Sequence, residues 1–142
     1  MTQISRHTRR RQKALAKGLC KDCARGRRYN SLTRCLDCSF KFLASKHLGS
    51  AKRWIELKEA LARQNNRCAY SGKEIDIGMN ASVEHVQSQS KHEKRRRDIT
   101  NIKWVDVRVN KSKQDMSLHD YLMLCKSVLT NFGYEIVRDD SK

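Results

Sequence analysis

The chain reads Glu84-His85-Val86, then Asn101-Ile102-Lys103-Trp104-Val105, then Val109-Asn110-Lys111-Ser112-Lys113. A carboxylate can hold a hard cation through oxygen, and the carbonyl of an asparagine can complete the same site. The imidazole beside that carboxylate can take a proton from water near neutral pH. This combination of residue types suits metal-assisted cleavage of a phosphodiester bond.

Further motif residues flank this stretch. Gln64-Asn65-Asn66-Arg67-Cys68 and Ser71-Gly72 precede it, and Leu124-Cys125 follows it. From the first of these segments to the last, somewhat under half of the chain, the sequence resembles the HNH endonuclease family, the ββα-metal or His-Me finger nucleases. The members that it resembles are small phage homing endonucleases and restriction endonucleases. The resemblance implies an α+β fold with a small ββα-metal core flanked by helices.

The resemblance also implies a role for each residue of the motif. His85 would be the general base that activates the attacking water, and Asn101 would orient it across the loop. Glu84 and Asn110 would hold a catalytic Mg²⁺ or Mn²⁺. The acid is Glu where Asp is commoner in the family, so the metal position would be slightly shifted. Asn110 stands where many members have His, which favours Mg²⁺ or Mn²⁺ over Zn²⁺.

Four cysteines form two close pairs near the N-terminus. They lie in Cys20-Lys21-Asp22-Cys23 and Cys35-Leu36-Asp37-Cys38, with 11 residues between the pairs. Two such C-x-x-C knuckles can complete a tetrahedral S₄ site. Thiolates favour a structural Zn²⁺; an iron–sulfur cluster and four unrelated reduced cysteines are the alternatives. Phe40 and Phe42 are predicted to pack beside the quartet, with base stacking as the alternative.

The two other cysteines do not extend this pattern. Many HNH modules carry a second zinc site built from two further knuckles. Here Cys68 is the only thiol of the first knuckle, and the matching positions of the second, Asp106 and Val109, hold none. The core is therefore predicted to lack a zinc ion of its own, and Cys68 and Cys125 are interpreted as buried, apolar-like residues.

The charge of the chain indicates a polyanionic partner. The 142 residues include 31 Lys and Arg against 15 Asp and Glu, a formal charge of +16 and a pI of about 10.0. Residues 1–46 alone carry 13 basic and two acidic residues. Such a field attracts nucleic acid, and double-stranded DNA is the predicted partner. An anionic membrane is the alternative, but the sequence shows no long amphipathic helix with bulky apolar residues.

Clusters of arginine supply the candidate DNA contacts. The first lies at the centre of the N-terminal arm, and the second lies in the loop between the knuckles. The third is the run 94–97, which is interpreted as a phosphate clamp, with a solvated loop as the alternative. The predicted contacts are Arg9, Arg10, Arg11, Arg25, Arg27, Arg28, Arg95, Arg96, Arg97 and Lys113. The histidines that match no pattern are interpreted as surface residues: His7, His47, His92 and His119.

Three segments are predicted along the chain. Residues 1–17 form a basic arm, partly disordered in the free protein; 18–48 form a DNA-contacting module with four cysteines that bind zinc; and 49–142 form the HNH nuclease domain. No run of 18 apolar residues and no signal-peptide pattern is present. The expected location is therefore the cytoplasm, that of the host cell for a phage-encoded chain, where reduced cysteines serve as metal ligands.

The pattern of apolar and capping residues predicts the elements of the nuclease domain. A helix is predicted over 50–64, and strands over 82–86 and 102–107. The next helix begins near 106–109 and carries Asn110. A last helix begins near Ser117 and ends at Asn131-Phe132-Gly133.

Two functions fit this sequence. The first is a metal-dependent DNA endonuclease that uses one metal ion and a histidine base, and leaves 5′-phosphate and 3′-hydroxyl ends as the resemblance implies. The alternative is a non-catalytic, zinc-containing nucleic-acid-binding protein with a decayed nuclease core. The chain is expected to act as a monomer or a homodimer.

Overall fold

A computed structural model describes residues 4–30, 32–87 and 93–137 of the chain. Over these residues the fold is α+β, as predicted, with five α-helices and a two-stranded antiparallel sheet. The helices are α1 (Arg6–Ala16), α2 (Leu36–Leu48), α3 (Trp54–Arg63), α4 (Val107–Lys113) and α5 (Leu118–Asn131). The strands are β1 (Ala81–His85) and β2 (Ile102–Asp106), and single 3₁₀ turns lie at Ala51–Arg53, Glu93–Arg95 and Ile99–Asn101.

The ends of these helices follow from their terminal residues. Ser5 Oγ accepts the amide of Thr8 at 3.1 Å and so caps α1. Ser117 caps α5 by accepting the amide of Asp120, whose carboxylate accepts the Ser117 hydroxyl in return. Gly133, at φ +81°, follows α5 in the left-handed region that glycine adopts freely.

The predicted elements of the second half are confirmed to within one or two residues. The strands end one residue earlier than predicted, and the predicted helix over 50–64 is a 3₁₀ turn followed by α3. The described part of the N-terminal arm differs more, because Arg6–Ala16 forms a regular helix. Ala14 of α1 is buried, and Arg11 donates to Asp22 at 3.3 Å, so α1 is held against the cysteine segment.

Trp104 of β2 is the centre of the apolar core. Its side chain is buried, its indole N–H donates to the carbonyl of Leu57 at 3.0 Å, and its ring meets the edge of Phe40 with 6.0 Å between centroids. The side chain of Gln64 pairs with both the amide and the carbonyl of Trp104, which satisfies the outer edge of β2. Phe40 therefore belongs to this core; the prediction placed it beside the cysteine quartet.

The sheet lies between two helical layers. In the antiparallel register Val83 pairs with Trp104 and His85 with Ile102, so these residues face α2 and α3. Ser82 and Glu84 face the other side, where α4 packs. Because α4 begins at the residue after β2, the strand pair and this helix form one β–β–α unit.

No helix in the described ranges has the length and apolar character needed to cross a membrane.

Candidate functional site

The four cysteines of the two knuckles meet at one point. Their Sγ atoms all lie within 4.8 Å of one another, and those of Cys23 and Cys35 are 3.8 Å apart. Sulfur ligands about 2.3 Å from a tetrahedral zinc ion lie about 3.8 Å from each other. The quartet of Cys20, Cys23, Cys35 and Cys38 could therefore hold a zinc ion.

Backbone groups favour the thiolate form at two of the four cysteines, Cys20 and Cys23. The amides of Asp22 and Gly26 donate to Cys20 Sγ and Cys23 Sγ at 3.4 and 3.5 Å. Burial raises the pKa of the Cys20 thiol, but backbone hydrogen bonds outweigh burial and lower this pKa to about 6. Burial raises the pKa of Cys38, and its neighbouring thiols add to that effect. Four thiolates side by side thus need a cation to neutralise them.

Gly26 allows the two knuckles to approach. A Cβ at this position would lie 3.0 Å from Cys35 Cβ and 3.3 Å from Cys35 Sγ, which is too close for an unstrained contact. A larger residue at this position would therefore have to displace Cys35 by a few tenths of an ångström while its amide donates to Cys23.

A second group of polar side chains lies between β1 and α4. The amide nitrogen of Asn110 donates to Ser82 Oγ at 2.8 Å and to the carbonyl of Val83 at 3.3 Å. These contacts leave its side-chain carbonyl oxygen for another ligand. Glu84, only 5% exposed, places Oε1 2.7 Å from Nζ of Lys113, which is 1% exposed. The structure thus brings Glu84 and Asn110 to the same side of the sheet.

His85 lies on the opposite side of β1, at the end of the strand. Its Nε2 is 3.1 Å from the carbonyl of Arg96, and a backbone group of His47 forms a further hydrogen bond with the ring. Burial lowers the pKa of this imidazole, although the carbonyl contacts act in the other direction. Alternation along the strand separates His85 from Glu84, so one phosphate could approach both only beyond the end of β1.

Asn101 holds the loop that leaves β1. Its side-chain oxygen accepts the amide of Gln87 at 2.8 Å, and its nitrogen donates to the carbonyls of Gln87 and Arg95. The second of these carbonyls precedes Arg96, whose own carbonyl meets His85. Asn101 therefore acts on the histidine through the backbone rather than by direct contact.

His47 is a residue of the site that the sequence analysis missed. It was interpreted as a surface residue, but its ring lies 5.5 Å from that of His85, and burial lowers its pKa to about 4. No sequence signal joins the two histidines, since α2 and β1 are far apart in the chain. His7 and His119 are exposed as predicted, and His92 lies outside the described residues.

The basic residues proposed for DNA binding differ in their exposure and in whether they pair with acidic residues. Most are exposed in the structure: Arg9, Arg10, Arg25, Arg27, Arg28, Arg96 and Arg97. Arg11 pairs with Asp22, while Arg95 is partly buried and donates to Asp98, Gln87 and Thr100. Lys113 differs from the prediction, because its ammonium is buried against Glu84 and does not reach the surface that DNA would contact.

The exposed cations of α1 lie on one side of the helix. Arg11 donates to Asp22 of the cysteine segment and Ala14 is buried, while the adjoining side of the helix presents basic residues spaced three or four apart and no acid. The basic stripe consists of Arg6, Arg9, Arg10, Lys13 and Lys17.

A comparison with models of protein families finds no match to this chain, and a comparison with curated proteins finds no significant relative. The function is therefore argued from the residues of the site.

Proposed function

We propose that the chain is a metal-dependent DNA endonuclease of the HNH type, which hydrolyses phosphodiester bonds with His85 as general base. The observation that carries the proposal is the β–β–α unit itself. It holds Glu84 and Asn110 on one side of a two-stranded sheet and ends its first strand at His85. The resemblance assigns metal binding to Glu84 and Asn110 and proton acceptance to His85. Asn101 holds the loop between β1 and β2 by donating to the carbonyl of Arg95.

The donors between β1 and α4 suit a hard divalent cation. Glu84 offers a carboxylate, and Asn110 offers a carbonyl oxygen whose partner nitrogen is already fixed by Ser82. The buried carboxylate already attracts a cation in the form of the Lys113 ammonium. Mg²⁺ prefers such oxygen ligands and keeps several waters, so that two protein oxygens and a phosphate oxygen suffice. When bound, the ion would supply charge stabilisation to the phosphate in the transition state.

The imidazole of His85 would accept the proton of the attacking water. Burial lowers the pKa of the imidazole, which favours the neutral form that a base requires. Its Nε2 faces the carbonyl of Arg96, so we propose that this carbonyl moves aside when DNA enters. Asn101 and Arg53, which both bind carbonyls of the segment 95–97, would set the position to which the loop returns.

DNA would be held by the exposed cations. The basic stripe of α1 and Arg25, Arg27 and Arg28 in the loop between the knuckles all belong to the N-terminal part of the chain. The predicted phosphate clamp follows His85 in the chain, with Arg96 and Arg97 exposed. A positive N-terminal segment and a positive loop beside the proposed base would together bind the backbone on both sides of the scissile bond.

The alternative is a non-catalytic, zinc-containing nucleic-acid-binding protein. One observation favours it: Glu84 and His85 are 5% and 9% exposed, and the base is already bound to backbone groups. A decayed core that kept only its structural contacts would look the same in this respect. The two functions share the DNA-binding surface and differ in turnover.

Cleavage of a supercoiled plasmid with Mg²⁺ separates the two functions. The parent chain is expected to nick the plasmid, and His85→Ala should lower the rate by about 10²–10⁴-fold, the usual contribution of a general base. Glu84→Gln and Asn110→Ala should also lower the rate, and higher Mg²⁺ or Mn²⁺ should partly restore it, since each removes a proposed ligand of the metal ion. Glu84→Gln also leaves the buried Lys113 ammonium unpaired, so its folding is checked as well.

His119→Ala is the matched control, because His119 is exposed on α5 and should keep the parent rate. Circular dichroism melting and DNA binding of the His85 variant show whether the protein still folds. Equal rates for the parent and a folded His85→Ala chain would refute the proposed base. A parent that binds DNA but never nicks it would favour the non-catalytic alternative.

A further inference from the structure

Helix α5 presents an apolar stripe that the rest of the described chain leaves largely uncovered. Most of its apolar residues recur every three or four positions, which places them on one side of the helix, while Met123 and Leu124, also exposed, lie off that side. The stripe consists of Leu118, Tyr121, Leu122, Cys125, Val128 and Leu129. Leu118, Tyr121 and Cys125 are half-buried, whereas Leu122 is 56% and Val128 49% exposed, and no residue of α5, which is wholly described, is buried.

The exposed surface continues past the end of the helix. Phe132 is 73% exposed, and Tyr134, Ile136 and Val137 are also exposed. A monomeric protein rarely exposes so many large apolar side chains in one segment, and such patches mark interfaces. We infer that this surface, formed by the α5 stripe and the exposed apolar residues that follow the helix, is the interface through which two copies of the chain form a symmetric dimer.

The charge of this segment favours a second copy over the other occupants. Residues 118–137 hold one lysine, Lys126, against Asp120 and Glu135, so their formal charge is −1 in a chain of +16. Two copies repel each other wherever their basic surfaces meet, and contact through this segment avoids that repulsion. The same lack of basic residues makes the segment unsuited to nucleic acid or to an anionic membrane surface.

Geometry also suits a pair of identical segments. In a two-fold dimer the same patch of both copies forms the interface. The stripe of one α5 helix can therefore cover the stripe of the other when the two helices pack side by side. A dimer interface of standard size takes roughly 20–30 residues from each partner, and the stripe with the exposed residues after it would supply the apolar centre of such a contact. Its aromatic residues, Tyr121, Phe132 and Tyr134, are of the types that carry most binding energy in interfaces.

Light scattering on size-exclusion fractions tests the inference on the full chain, freed of nucleic acid in high salt. From about 1 μM to about 100 μM the parent should move towards about twice its 16.6 kDa mass. Leu129→Asp should raise the dissociation constant roughly tenfold or more, because a charge would be buried in the interface. Val128→Glu should act alike, and neither side chain belongs to the apolar core or packs against it.

Ser127→Asp is the matched control, since it adds the same charge to the same helix on the side away from the stripe. It should dimerise like the parent. A parent that stays monomeric at about 100 μM, or stripe variants that dimerise like the control, would overturn the inference. The mass is measured without DNA, so a dimer that never nicks a plasmid would refute the proposed nuclease and leave this interface standing.

Discussion

Glu84 and Lys113 form the most buried ion pair among the described residues. Their side chains are 6% and 1% exposed, with 2.7 Å between Oε1 and Nζ. Removing two charges from water costs several kcal/mol per ion. The attraction between the two charges does little more than offset this cost, so the pair adds little net stability. The burial of this pair between β1 and α4 is explained if the carboxylate is needed to bind a divalent cation, with the Lys113 ammonium balancing its charge.

Lys113→Met is predicted to destabilise the chain, and Mg²⁺ to restore part of the loss. The substitution keeps an apolar stem but leaves the Glu84 carboxylate buried without a partner, which typically costs about 3–5 kcal/mol. A divalent cation at Glu84 and Asn110 would replace the missing charge. Urea unfolding with and without Mg²⁺ should therefore show a larger gain from Mg²⁺ in the variant than in the parent.

Lys111→Met is the control for this experiment, because Lys111 lies on the same helix but is exposed. It should change neither the free energy of unfolding nor its response to Mg²⁺ by more than about 0.5 kcal/mol. An equal Mg²⁺ effect in the parent and in Lys113→Met would argue against a cation site at Glu84.

At the scale of single residues, spacing predicted the motif but not its surroundings. Glu84 and Asn110 face the same side of the sheet because a strand alternates its side chains and α4 follows β2 directly. The approach of His47 to His85 depends instead on how α2 packs across the sheet, which no local pattern encodes. Lys113 was predicted to contact DNA because the sequence gives its charge but not its burial.

At the scale of elements, α2 connects the cysteine quartet to the core. It begins at the residue after Cys35 and carries Cys38 in its first turn, while Phe40, Ala44 and Leu48 of the same helix are buried with Leu57 and Trp104. A metal ion at the quartet would therefore fix the start of a helix that forms one wall of the core. Loss of the ion should reach beyond the knuckles themselves.

The purified chain is predicted to contain about one zinc ion, and a chelator should lower its melting temperature. Zinc bound to four thiolates contributes directly to folding, so its removal should expose amides of residues 19–48 to hydrogen exchange before those of β1 and β2. Elemental analysis, melting curves and exchange measured by mass spectrometry test this. Cys23→Ser should lose the ion.

Cys68→Ser is the matched control, because Cys68 is a buried thiol outside the quartet. It should keep the zinc ion even if it lowers the melting temperature. Purified protein that holds neither zinc nor iron would contradict the prediction for the quartet, and iron in place of zinc would favour the iron–sulfur alternative.

Elements with a strong periodicity or a clear cap were predicted well, and the others were not. Ser117 and Gly133 marked both ends of α5 correctly, and β-branched residues marked the first strand and so its partner. Helix α1 was missed because its many cations resemble a solvated tail, and its order depends on long-range contacts of Arg11 and Ala14. The exposure of α5 was not predicted either, since an apolar stripe indicates that one side of a helix is buried but not which surface buries it.

At the scale of the whole molecule, charge and apolar surface are separated along the chain. The N-terminal third holds most of the excess positive charge, with the basic stripe of α1 exposed on it, and residues 118–137 hold almost none. The two ends of the described chain thus have opposite surface chemistry. A dimer through α5 would leave the basic N-terminal segment of each copy free to bind DNA.

The affinity for DNA is therefore predicted to fall steeply with salt, and the fall should depend on the α1 stripe. On duplex DNA the slope of log K against log salt is about −0.9 per phosphate neutralised, so six or more contacts give a slope near −5 or steeper. Each of Arg9→Gln and Lys13→Gln should make that slope shallower by about one contact, measured by fluorescence anisotropy on duplexes of unrelated sequence. Arg11→Gln is the comparison on the same helix, because that guanidinium lies outside the stripe and is paired with Asp22, which Arg34 also contacts, so its slope should stay nearer to that of the parent. A parent slope near −2 would mean that most of these cations remain solvated when DNA binds, and that α1 serves to cover the cysteine segment rather than to hold phosphates.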